Sequence, residues 1–122
     1  ASIVSRAAAD PFIDTGGMDA TARTYLGEAD PAGPRASPLF GTMAGLPPTL
    51  IQIGSDEVLF DDATRLRDRI AGAGGWAMFQ EWAGMIHVWP LFAHVVDEGQ
   101  WTIAQGGAFL GGVWPAPVAP AE

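Results

Sequence analysis

Two segments of the chain carry side chains able to act together on an acyl group. One is Gly54-Ser55-Asp56-Glu57-Val58-Leu59-Phe60-Asp61, an acidic doublet just after a glycine. The other is Ala83-Gly84-Met85-Ile86-His87-Val88-Trp89, which holds one of the two histidines. An imidazole held by a carboxylate is the general-base half of an acyl-transfer site. Each feature also has a plain reading. An acidic doublet before a helix serves capping and the helix dipole, and a lone histidine after a strand is usually a surface or core residue. What favours function is the pairing: equivalent loops, opposite chemical roles, and a glycine before each. On residue types alone, Asp56 and Glu57 both stand as the acid.

A nucleophile is missing from this set. The serines are Ser2, Ser5, Ser37 and Ser55, and none lies in Gly-x-Ser-x-Gly, the strained strand-to-helix elbow of serine hydrolases. No His-Gly-Gly-Gly stretch is present to build an oxyanion hole, and Gly16-Gly17 reads as a helix-cap loop. With no cysteine, disulfides, zinc–thiolate sites and thiol catalysis are excluded. No metal or cofactor is expected.

The 122 residues allow one domain, and 48% hydrophobic content is that of a globular chain. Six cations, all arginine, against fourteen acids give a net charge of −8. That balance leaves no basic patch for phosphates, so nucleic acid is not an expected partner. No apolar run reaches the roughly 20 residues needed to cross a bilayer, and the first residues do not read as a signal peptide. The expectation is a soluble, cytoplasmic protein.

The elements that must position the two loops follow from periodicity. Thr49-Leu50-Ile51-Gln52-Ile53 is β-branched and apolar on both faces, as in a strand buried between helical layers. Ala63, Leu66, Ile70 and Ala73 keep helical spacing, with Asp61 or Asp62 as cap and an Asp61–Arg65 pair on the surface. Trp76 to Trp82 reads as a second strand. Strand, helix, strand predicts a parallel βαβ unit, right-handed in about 98% of cases. In a parallel sheet, ligands bind beyond the carboxyl ends of the strands, which is where both loops lie. Met18, Ala22, Tyr25 and Leu26 predict an earlier helix, with Thr15 as N-cap and residues 1–17 before it as loop. A proline-rich connector follows over residues 30–40. A last helix is expected over Asp97 to Leu110, with Trp101, Ala104, Ala108 and Phe109 inward and a break at Gly106-Gly107. Residues 111–122 are expected as a Pro/Gly-rich tail. Two interior-type strands leave open edges and uncovered faces, so the sheet is expected to be incomplete in this chain.

These residues match a family pattern in order. The run includes Asp10-Pro11-Phe12, Tyr25-Leu26-Gly27, Ala36-Ser37-Pro38-Leu39-Phe40 and Gly45-Leu46-Pro47-Pro48-Thr49-Leu50-Ile51-Gln52-Ile53-Gly54. Asp56-Glu57-Val58-Leu59, Asp61-Asp62-Ala63, Gly84-Met85-Ile86-His87-Val88-Trp89 and Gly107-Ala108-Phe109-Leu110 complete it. Over residues 1–110 the chain resembles the C-terminal portion of bacterial esterases of the hormone-sensitive-lipase family. These are α/β-hydrolases acting on short-chain carboxylic esters. The resemblance implies a serine carboxylesterase working through an acyl-enzyme, with triad order Ser, acid, His and the serine on an N-terminal part outside this chain. With Leu59 and Asp61 placed on the family's motif, Glu57 is the implied acid and Asp56 the runner-up. The thirty-residue spacing to His87 suits the family. Glu57 would then orient and stabilise His87, which would take the nucleophile's proton.

Met85 and Trp89 would flank the histidine as packing or acyl-pocket lining. Trp82 and Phe92 read as core or interface residues, and His94 as a plain surface histidine. The resemblance also implies a homodimer through the edge of strand 76–82, and ester as the substrate. The chain alone is expected to be inactive. The alternative is a non-catalytic interaction or assembly module that keeps the half-sheet. A dinucleotide-binding βαβ unit is disfavoured, because no Gly-x-Gly-x-x-Gly follows the first strand.

Overall fold

β1 (Thr49–Gly54) and β2 (Ala77–Trp82) pair in parallel, with Thr49 opposite Ala77 and Gly54 opposite Trp82. The computed structural model that shows this describes residues 1–114, in two units divided at Val88 and Trp89. In the first unit the order is α1 (Ser2–Ser5), α2 (Met18–Leu26), a 3-10 turn at Pro38–Phe40, β1, α3 (Phe60–Gly72) and β2. The helix between the parallel strands makes the expected βαβ unit. Ile51 and Ile53 share one face of β1, both buried. The core joins Ile51 to Met43 and Ile70, with Ala63 and Leu66 of α3 and Ala77 and Phe79 of β2 packed against them. Across the sheet, Gln52 and Gln80 sit opposite each other, and the Gln52 amide donates to the Gln80 carbonyl oxygen at 2.9 Å.

α3 carries Asp61 and Asp62 in its first turn and Arg69 in its last, as the helix dipole favours. Arg69 also donates to the carbonyls of Leu39 and Gly41, which ties the proline-rich connector to the helix. The connector is too proline-dense for an α-helix but accommodates one 3-10 turn at Pro38–Phe40.

Several local expectations are corrected. Residues 1–17 are not all loop, since Ser2–Ser5 form one helical turn. Gly17, not Thr15, is the N-cap of α2, because Asp14 takes over the turn, accepting the Gly16 N–H on its side chain and the Gly17 N–H on its carbonyl. α3 begins at Phe60 with Leu59 as N-cap, ahead of both aspartates. Arg65 pairs with Asp62 rather than Asp61, whose carboxylate instead accepts the Ser2 N–H at 2.7 Å.

In the second unit a 3-10 turn at Trp89–Phe92 leads into α4 (Asp97–Val113). The helix runs through Gly106-Gly107 unbroken and three residues past its expected end. The less exposed stripe is Gly99, Thr102, Gly106 and Phe109, while Trp101, Ala104 and Ala108 are exposed. Small size sets this phase: a Cβ on Gly99 would stand 2.8 Å from Ala93 Cα and 2.9 Å from its nitrogen. Of the expected tail, residues 111–113 belong to α4, and residues 115–122 lie outside the described residues. Among the described residues, no helix is long and apolar enough to cross a membrane.

Candidate active site

Past the carboxyl ends of β1 and β2, the two loops remain stitched together. Ser55 N–H donates to the Trp82 carbonyl at 2.9 Å, and Asp56 N–H to the Met85 carbonyl at 3.1 Å. In return Gly84 N–H donates to Ser55 Oγ at 2.8 Å. The approach is so close at Gly54 that a Cβ there would stand 2.1 Å from the Met85 carbonyl oxygen. Only glycine fits, and the sequence has glycine at that point.

Glu57 is 4% exposed, and both of its carboxylate oxygens are engaged. Oε1 accepts the Gly54 N–H at 2.8 Å, which folds the side chain back over its own turn. Oε2 lies 2.9 Å from Nδ1 of His87, whose side chain is 31% exposed. A carboxylate on Nδ1 holds the ring in the tautomer that leaves Nε2 as the basic nitrogen. Asp56 is engaged elsewhere: its Oδ1 accepts the Ser55 hydroxyl at 2.9 Å. Of the two acids open on residue type, the structure therefore brings Glu57 to His87.

His87 is followed by Val88 at φ 57°, the left-handed region that a β-branched residue rarely occupies. Such a turn persists only where surrounding contacts impose it. An apolar groove of about 890 Å³ reaches the pair, lined by Ile51, Ile53, Leu59 and Leu66 besides Glu57 and His87. All four serine hydroxyls are bonded away from His87: Ser2 to the Val58 carbonyl, Ser5 to that of Ala1, Ser37 to that of Pro31, and Ser55 to Asp56.

The remaining candidates fall as follows. Met85 is half-buried and contributes its backbone carbonyl to the stitching, Trp89 is buried, Trp82 and Phe92 are half-buried, and His94 is exposed. Residue typing missed Ser2 and Asp10, which are buried and bonded to the acid loop. Asp10-Pro11 carried only a turn signal, and nothing local marks a partner 48 residues away.

Residues 1–91 match the alpha/beta hydrolase fold family, and the chain belongs to that family. Its structural neighbours narrow the class to the hormone-sensitive lipase family of bacterial esterases, of which it covers a C-terminal portion. An esterase of that family superposes with a TM-score of 0.89 at 39% identity, over 93% of this chain and 38% of the other. An esterase/lipase from an uncultured bacterium gives 0.88 at 41%, over 94% and 38%. The acetyl-hydrolase of Streptomyces hygroscopicus is 44% identical over 110 residues, 90% of this chain and 37% of that protein. An esterase of Acinetobacter venetianus is 34% identical, over 82% and 33%. The chain thus spans well under half the length of these relatives.

Proposed function

We propose that these residues supply the acid and the general base of a serine carboxylesterase acting on short-chain esters. The observation that carries this reading is the contact of buried Glu57 Oε2 with His87 Nδ1 at 2.9 Å. Glu57 holds the imidazole and stabilises its charge as His87 Nε2 takes the proton of a serine on the rest of the fold. The serine oxygen attacks the ester carbonyl, and the alcohol leaves with the proton that His87 returns. Water, deprotonated by the same nitrogen, then attacks the acyl carbonyl; the carboxylic acid leaves and the serine oxygen takes the proton back from His87. Relatives named esterase and acetyl-hydrolase support the substrate class, and the engagement of all four serine hydroxyls elsewhere supports a nucleophile outside these residues. The same reading carries a dimer contact at the β2 edge, where Trp76 and Met78 are exposed.

A graft tests the assignment. These residues replace the matching segment of the Streptomyces acetyl-hydrolase, and p-nitrophenyl acetate hydrolysis is measured. The chimera is expected to be active and His87→Ala to abolish activity, while the 122-residue chain alone shows none. His87-dependent hydrolysis by the isolated chain would overturn the claim that the nucleophile lies elsewhere.

A further inference from the structure

Glu57 is bonded to Gly54 and His87, and the residue after it is bonded to Asp10 and Ser2, 48 and 56 positions earlier. Val58, the next residue, is 2% exposed, and both of its backbone polar groups are taken by side chains. Its N–H donates to Asp10 Oδ2 at 3.1 Å, and its carbonyl accepts the Ser2 hydroxyl at 2.7 Å. Ser2 Oγ also accepts the Asp61 N–H at 3.0 Å. The other Asp10 oxygen, Oδ1, accepts the Phe12 N–H at 3.2 Å, an Asx turn that aims the carboxylate.

Asp10 is itself 2% exposed, and no described cation lies within ion-pair distance of it. A buried, unpaired carboxylate is costly, and a neutral side chain would avoid that cost. What a carboxylate offers here is two acceptor oxygens for two backbone N–H groups. Asparagine has one acceptor oxygen, and its NH₂ would face the second N–H donor to donor.

We propose that Asp10 is a positioning residue for the acid–base pair: it fixes the backbone immediately after Glu57, and through Glu57 the orientation of the His87 ring. Ser2 shares the task from the same N-terminal strap. The inference rests on the reading of Glu57 and His87 as acid and base.

The test uses the chimera with ¹⁵N-labelled histidine, where nitrogen shifts report which ring nitrogen carries the proton. Wild type is expected to show His87 protonated on Nδ1, with His94 as internal reference, and Glu57→Ala sets the value of an unheld ring. Asp10→Ala is expected to move His87 most of the way to that value and Asp10→Asn part of the way. Asp30→Ala removes the same kind of turn bond, to Ala32 N–H, at a remote exposed site and is expected to change nothing. In the chimera, Asp10→Asn is expected to lower kcat about 10- to 100-fold with KM within about twofold, as misplaced catalytic groups do.

A folded Asp10→Ala whose His87 signal stays at the wild-type value overturns the proposal. If that variant does not fold, Asp10→Asn with an unmoved signal overturns it equally. A wild-type ring not protonated on Nδ1 instead breaks the acid–base reading itself. An inactive chimera with the expected tautomer leaves the positioning role standing without the esterase assignment.

Discussion

The acid loop, residues 54–61, and the histidine loop, residues 83–88, leave the same sheet edge side by side and are secured in opposite ways. The acid loop contains no positive φ and is bonded from three directions: β1, the histidine loop and the N-terminal strap. The histidine loop bends through the left-handed region at Gly84 (φ 72°) and again at Val88 (φ 57°). Its hydrogen-bond partners among the described residues lie chiefly on the acid loop: the Met85 carbonyl on Asp56, Gly84 N–H on Ser55, His87 on Glu57. One loop is a fixed support and the other is suspended from it. Damage to the acid loop should therefore propagate to His87, whereas relaxing the histidine loop should leave the acid in place.

The largest expected effect separates the adjacent acids on the fixed loop. In the chimera, Glu57→Gln replaces the carboxylate on Nδ1 with a neutral amide, and kcat should fall roughly 10³- to 10⁴-fold, the loss typical of removing a triad acid. Asp56→Asn alters only the contact with the Ser55 hydroxyl, and kcat should stay within about threefold, since that bond is worth on the order of 1 kcal/mol. Steady-state kinetics on the two variants decide it. A greater loss from Asp56→Asn would exchange the two assignments.

Gly54→Ala should come next. The new methyl would overlap the Met85 carbonyl and crowd Glu57 Cγ, so the loops must part. Overpacking of this kind costs about 1–3 kcal/mol. Urea unfolding measures the stability loss, and the His87 ring should lose its Nδ1 proton at the same time. A destabilised variant with the His87 signature intact would show that the histidine loop has supports of its own.

How much of this was legible in the residues depends on range. The βαβ unit could be read because Ile51, Ile53, Ala63, Leu66 and Ile70 carry their burial in local periodicity. The Glu57–His87 pairing could be narrowed to two acids by topology, since parallel strands place their following loops on one edge. The family resemblance implies Glu57 over Asp56, and side-chain direction gives the physical reason: Glu57 has the extra methylene to turn back over Gly54, while Asp56 is held by Ser55. The strap was illegible because Ser2 and Asp10 act across about fifty residues through single bonds that leave no period. α4 misled for a different reason. Hydrophobicity ranks Trp101 above Gly99, but close packing onto Ala93 selects the residue with no side chain.

The smallest effect concerns Val88, and it compares the backbones of the two loops directly. Val88→Gly and Val88→Ala both remove the isopropyl group, so their difference isolates the left-handed turn. Alanine at φ 57° keeps a Cβ clash of about 1–2 kcal/mol. Glycine avoids it but loses roughly 0.5–1 kcal/mol through its freer unfolded chain. Glycine should therefore be the more stable variant, by up to about 1.5 kcal/mol, reversing the usual order. The same pair of substitutions at Asp56, where φ is not positive, should keep the usual order with alanine ahead. Matched urea midpoints for the four variants measure both signs. If alanine led at both positions, the turn at Val88 would not be imposed in solution, and the histidine loop would be as relaxed as its support.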